Sequence, residues 1–205
     1  MAKRVIVIAS GETERKALPH LLAHLREEGI QVTADDIRTP PRSGLITGEM
    51  ACKLILSAWN ETRWSDPPSK FVVLQDADAR DPRAIVEQLT QDLGRTRAQE
   101  VPVPILIAAA KWHLEAWFFA DAAGLRAHLG RDLGSIDPSR PDEIINPKLH
   151  LKQILAGTTY TARVAEEIAR KLSPERARSR SPSFAHFEQC VRNGPSAAPW
   201  PTAPP

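Results

Sequence analysis

The sequence predicts an α/β protein: a mostly parallel sheet of about four strands flanked by helices, followed by a C-terminal helical extension. Three observations carry that prediction. Compact apolar runs rich in β-branched residues recur at Arg4 to Ala9, Ile30 to Thr33, Phe71 to Leu74 and Ile105 to Ala109. Stretches with helical periodicity separate them, and this alternation builds βαβ units with right-handed crossovers. From Gly134 to Pro141 the chain turns polar and proline-bearing, and no strand-like run follows. The expected organisation is an α/β core over residues 1–130, a helical extension over 131–193 packed on that core, and a proline-rich tail over 194–205.

Each element has a local cause. Arg4 to Ala9 reads RVIVIA, a buried strand, and Gly11 opens the turn after it. Leu18, Leu21, Leu22 and Leu25 then share one face of a helix that runs to Glu28. Proline is poorly tolerated inside a helix, so the regular part is expected to begin at Pro19 rather than at Thr13. Ile30 to Thr33 is a weaker second strand, and the turn-rich TPPRSG leads into a helix over Met50 to Thr62. The strand Phe71 to Leu74 follows, then a helix from Pro82 to Arg95, the strand Ile105 to Ala109, and helical sequence over Trp112 to His128. In the extension, Pro147 to Leu155, Tyr160 to Leu172 and Ser183 to Arg192 read as short helices. The closing GPSAAPWPTAPP has no apolar periodicity and too much proline to fold, which predicts disorder.

Composition narrows the function classes. A 205-residue chain that is 42% hydrophobic can bury a real core. Its formal net charge of +2 provides no whole-molecule basic field, so any nucleic-acid surface must be local. Met1 to Arg4 leads straight into a strand-like run rather than an apolar leader, and no run could span a membrane. Cys52 and Cys190 lie in no metal-ligand spacing and read as reduced thiols. A cytoplasmic protein is expected. No GxxxxGK[ST] loop marks a P-loop ATPase, and no GxSxG or Cys/His arrangement marks a covalent hydrolase. Metal-assisted phosphoryl chemistry remains as the enzymatic expectation.

The residues that suggest it stand where strands end. Asp76 and Asp78, in Gln75-Asp76-Ala77-Asp78, follow the run Phe71 to Leu74. The carboxyl ends of strands are where open α/β sheets bind ligands, and unpaired carboxylates are costly there. An oxygen-ligated Mg²⁺ or Mn²⁺ ion would account for them; a helix cap at Asp76 with a solvated Asp78 is the plain alternative. Glu12 and Glu14 occupy the equivalent turn after the first strand, where Glu14 would face the aspartates, or where both would simply favour a helix start. Glu115 lies among Trp112, Trp117, Phe118 and Phe119, an apolar setting in which an acid needs a partner. His113 cannot share a helix face with Glu115 and is expected in the core or as a cap. His20 and His24 have a zinc-compatible spacing but lie opposite the leucine stripe, so they are expected on the surface. Lys148 sits at a helix start, unfavourable for a cation unless it faces a phosphate. Arg176, Arg178 and Arg180 form the one dense basic run, either a solvated face or a phosphate contact.

The ordered series SGETE, VVLQDADA, HLEAWFFAD, INPK and SPSFAHF resembles a bacterial Toprim-like family related to the overcoming-lysogenization-defect nucleases. The resemblance spans Val5 to Arg192. It implies a Toprim-like Rossmannoid core and a nuclease dependent on Mg²⁺ or Mn²⁺, with Glu14, Asp76, Asp78 and Glu115 at the metal and Lys148 neutralising the scissile phosphate. It also implies DNA or RNA as substrate and an AAA ATPase partner encoded nearby in phage-defence loci. The family's first motif begins with a glutamate, where this chain has Ser10. A second expectation therefore stands beside the first: a module that has lost cleavage and binds metal, nucleic acid or the ATPase as a regulatory subunit.

Overall fold

A computed structural model describes residues 3–42, 44–134 and 136–193. The expected disorder of the tail over 194–205 falls outside the described residues. Five strands form one parallel sheet: β1 (Lys3–Ile8), β2 (Ile30–Gln31), β3 (Ile37–Arg38), β4 (Lys70–Asp76) and β5 (Ile105–Ala110). The order is β2-β1-β4-β5, with β3 also pairing to β1. β2 meets β1 at Lys3 and Arg4, and β3 meets it at Val7 and Ile8, so the two short strands share one edge. A single strand over Ile30 to Thr33 was expected there. Thr33 and Asp36 instead form a capping box around a short 3₁₀ turn, and Arg4 pins Asp36 at 2.5 Å. A two-residue strand like β3 has no periodicity to read.

Strand alternation sends side chains to two layers. Val5, Val7, Val72 and Leu74 face one apolar cluster, while Ile6, Ile8, Phe71 and Val73 face the other. The second layer is closed by α2 (Gly48–Thr62) and α3 (Pro82–Gly94), capped by Thr47 and Asp81. The first is closed by α1 (Glu12–Leu21) and by the C-terminal helices. Here α1 corrects the sequence reading: it starts at Glu12 and contains Pro19. The proline is buried in the last turn, and a 3₁₀ segment over Ala23–Glu28 takes over directly afterwards, so few helical hydrogen bonds are forfeited.

Helical sequence over Trp112 to His128 resolves into α4 (Glu115–Ala120) and α5 (Ala122–Leu129), broken at Asp121. Asp121 leaves helical geometry to accept from Gly124 N and Ser173 N and to pair with Arg176. The extension contributes α6 (Pro147–Leu155), α7 (Ala162–Ala169), α8 (Pro174–Arg180) and α9 (Pro182–Arg192). Its core contact joins two of the sequence motifs: Trp117 packs edge-on to Phe184 at 5.2 Å, stacks on Phe187 at 5.4 Å and donates to Ser183 Oγ. Asp142 accepts from the hydroxyls of Ser181 and Ser183, completing that buried polar network.

Two surface expectations are corrected by the same helices. His24 lies 2.5 Å from the buried Glu188 of α9, and His20 faces Glu166 of α7. The basic run is committed internally: Arg176 to Asp121, Arg178 to Glu188, and Arg180 to the carbonyl of Ala120. The extension covers a face that helical periodicity alone assigns to solvent. Among the described residues, no helix is long and apolar enough to cross a membrane.

Candidate functional site

Parallel registry brings the chemistry to one edge. Ile8 pairs with Val73, and Asp76, the last residue of β4, pairs with Ala110, the last of β5. Three chain exits therefore stand side by side. From β1 the chain turns through Ser10 and Gly11 into the first turn of α1, which carries Glu14. β4 ends on Asp76 itself, and β5 leads through Lys111 to Leu114 into α4, whose first residue is Glu115. Gln75 fixes this edge from beneath: buried, it accepts from Ile46 N at 2.8 Å and donates to the Asp76 carbonyl at 2.9 Å.

Glu14, Asp76 and Glu115 stand at this one edge, near enough to act on one another electrostatically. Glu14 is 7% exposed and Glu115 only 2%. Burial raises the Glu14 carboxyl above its ordinary value and Glu115 raises it further, while the backbone N–H of Glu14, the Ser10 hydroxyl and Lys148 oppose the rise. Asp76 is pushed well above the ordinary carboxylate range by burial and then by Glu14, Glu115 and Asp78; Lys148 again opposes. The Lys148 ammonium, from the first turn of α6, lies 3.8 Å from Glu115 Oε1. That separation is an ion pair too long for a hydrogen bond. Glu115 Oε1 is buried with no hydrogen-bond partner.

Asp78 is not drawn into this group. Its side chain is 59% exposed and lies 3.0 Å from His113 Nε2. The turn is responsible: Asp78 and Ala79 have φ of +47° and +70°, and Asp78 N donates to the Trp112 carbonyl. His113, expected in the core or as a cap, is half-buried and faces this aspartate at the rim. Glu12 pairs with Arg15 on the surface.

Sequence reasoning missed two members of the site. Ser10 reads as an absent glutamate, yet its hydroxyl supports Glu14. The phenol of Tyr160, in the loop after α6, is pushed far up, first by burial and then by Glu115, Glu14 and Asp76. Its hydroxyl oxygen is buried without a hydrogen-bond partner. The segment around Tyr160 has no apolar period, and its only signal is that the chain has one tyrosine.

The donors are oxygens, suited to a hard divalent cation rather than to zinc. Among the described residues, no three His, Cys, Asp or Glu side chains converge into a group that could hold a metal as they stand. One ammonium among three carboxylates leaves them repelling one another, a physical reason for their standing apart.

The model of a family described as "Domain of unknown function (DUF4276)" matches residues 10–192, which include Glu14, Asp76, Glu115 and Lys148. No curated protein and no solved structure matches the chain.

Proposed function

The chain belongs to the DUF4276 family, and we propose that it is a Toprim-like phosphodiesterase that cleaves nucleic acid with a Mg²⁺ or Mn²⁺ ion held at Glu14, Asp76 and Glu115. The supporting observation is the charge balance at the sheet edge. Burial and mutual repulsion raise Glu14 and Asp76, one lysine opposes them, and Glu115 keeps an unpaired buried oxygen. A divalent cation would relieve all three strains at once, so the donor set fits such an ion in chemistry and charge. When bound, the ion would supply Lewis-acid stabilisation to the phosphate undergoing in-line displacement.

The chain's own residues would do the rest. Ser10 orients Glu14 through its hydroxyl, and Gln75 fixes the backbone that carries Asp76. Lys148 would leave Glu115 for the phosphate and stabilise the charge that develops on it. Asp78 and His113 line the rim, where they would meet the flanking strand rather than the ion. With no phosphate-cradling loop of its own, the chain would draw any nucleotide dependence from an AAA ATPase partner in phage defence, as the resemblance implies, and would work in the cytoplasm, as its two unpaired cysteines suggest.

Ser10 favours a second reading. A hydroxyl is neutral and cannot take a proton as the family's glutamate does, so a cleavage-impaired regulatory subunit that still binds metal or nucleic acid has its own support. Incubating the purified chain with supercoiled DNA and with single-stranded RNA, with Mn²⁺, Mg²⁺ or EDTA, separates the two. Metal-dependent nicking lost in Asp76→Asn supports the enzyme. Metal binding with protection but no cleavage supports the regulatory subunit, and cleavage that survives EDTA overturns the metal site.

A further inference from the structure

The exits of β4 and β5 carry an aromatic ring and two cations that the fold leaves unused. Trp112 is half-buried and, among the described residues, joins neither apolar cluster, whereas Trp117 is enclosed in one and Trp59 packs against the other. Its ring lies 6.4 Å from that of His113, which faces Asp78 at the rim. Arg80 is exposed and Lys111 half-buried, and among the described residues neither forms an ion pair. Asp142, the acid that Lys111 acts on, is already held by Ser181 and Ser183.

Backbone hydrogen bonds fix these three residues relative to one another. Ala77 N donates to the Ala110 carbonyl at 2.9 Å and Asp78 N to the Trp112 carbonyl at 3.4 Å, so the two exits run side by side. Arg80 folds back on its turn: its backbone N and its Nε both donate to the Ala77 carbonyl, at 2.9 and 3.1 Å. One nitrogen thus anchors the guanidinium while the two terminal ones remain as a fork, the geometry that suits phosphate oxygens. The neighbouring acids are engaged elsewhere, Asp78 with His113 and Asp81 with Arg83 N at the start of α3. Cations beside an aromatic ring with open surface favour a strand whose bases are free to stack, since pairing in a duplex hides those faces.

We propose that the exits of β4 and β5 form a platform for single-stranded nucleic acid, with Trp112 stacking on an unpaired base while Arg80 and Lys111 hold neighbouring phosphates. The platform rests on the reading of the chain as acting on nucleic acid and deepens it: the strand that reaches Asp76 arrives unpaired.

Binding in EDTA tests this without any contribution from metal. Fluorescence anisotropy of a labelled oligothymidylate, and of a DNA duplex of the same length, is followed against salt. The native chain should bind the oligothymidylate more tightly. Arg80→Gln and Lys111→Gln should each flatten the log–log salt dependence by about 0.7, the share of one phosphate contact on a single strand. Trp112→Leu, which keeps apolar bulk, should weaken oligothymidylate binding about 5- to 150-fold, the range for one stacked base. Arg97→Gln, in a surface pair with Glu100 ahead of β5, should change neither. Equal binding of duplex and single strand, salt slopes that neither cation variant flattens, or Trp112→Leu binding like the native chain overturns the proposal. A native chain that binds no oligothymidylate also overturns it, leaving the surface to a protein partner and the Mn²⁺ site untouched. If the oligothymidylate binds as expected but calorimetry finds no Mn²⁺ bound, the platform stands and the metal site falls. Should Trp112→Leu not fold, an abasic oligomer with the same phosphates replaces it: the native chain binding that oligomer as tightly as the oligothymidylate overturns the proposal.

Discussion

Burial and three neighbouring carboxylates hold Asp76 well above its ordinary range, with Lys148 opposing them. Its folded value thus exceeds its unfolded value, which lies near ~4. Between those two values the folded state binds more protons, so Asp76 lowers stability progressively as pH rises through that window. Asp76→Asn should therefore melt higher than the native metal-free chain, and the gap should widen from pH 5 to pH 8. About 1 kcal/mol of relieved repulsion corresponds to roughly 2–4 °C in a chain of this size. A lower melting temperature with metal binding intact would assign Asp76 a purely structural role. Ser10→Glu makes the complementary prediction. It removes the donor to Glu14 and adds a carboxylate, so the metal-free protein should melt lower, bind Mn²⁺ more tightly and cleave faster by about 10²–10⁴-fold; slower cleavage would show that the serine is the working residue. At this scale Glu14, Asp76 and Glu115 were legible because each is an acid placed where an apolar run ends or amid aromatic residues. The outward turn of Asp78 was not, since an Asp-x-Asp spacing carries no record of the φ at its second aspartate. Tyr160 was not legible either, because it meets the acids only through tertiary contact.

Among the elements, two connections deserve mutation because each breaks a local rule. The β4–α3 turn places Asp78 and Ala79 in left-handed geometry, closed by Arg80 N to the Ala77 carbonyl at 2.9 Å. An alanine there is strained, so Ala79→Gly should raise stability by about 0.5–1 kcal/mol, read as a higher urea midpoint at unchanged slope. At the opposite end of the sheet, Lys70 is a lysine buried at a strand start. Its ammonium donates to the carbonyls of Cys190, Val191 and Asn193 and so closes the C-terminus of α9. Lys70→Met keeps the stem but leaves those carbonyls unpaired, and should cost about 1–3 kcal/mol in the same urea assay. The long strands and α2, α3 and α6 were legible from their apolar runs and periodicity, and the structure adds Thr47, Asp81 and Asn146 as the caps of those helices. The break at Asp121, the helix α8 and the start of α1 ahead of Pro19 were not. Each depends on what packs against it: Asp121 on Ser173 and Arg176, α8 on Glu188 and Ala120, and Pro19 on its burial in the core.

For the whole molecule, the larger apolar cluster runs from Val5 in β1 through Trp117 and Phe118 to Phe187 and Val191 in α9. Sheet and C-terminal helices share that core, and Lys148 and Tyr160 reach the site only because α6 and its following loop are held there. Unfolding should accordingly be one transition, with far-ultraviolet ellipticity and tryptophan emission coinciding in urea; separate transitions would show that the helices dock on an independently stable sheet. The α/β class was legible because it follows from alternating runs, whereas the covering of His20, His24 and the arginine run by α7, α8 and α9 required the tertiary arrangement. The central claim is that the sheet edge is a divalent-cation site made by Glu14, Asp76 and Glu115. Calorimetric titration of the metal-free chain with Mn²⁺ at pH 6.5, in two buffers of different ionisation enthalpy, tests it most directly. One ion should bind, any proton released on binding coming from the raised carboxyls of Asp76 and Glu14, and Asp76→Asn should abolish the binding. No binding by the native chain, or binding that Asp76→Asn leaves unchanged, would contradict the account.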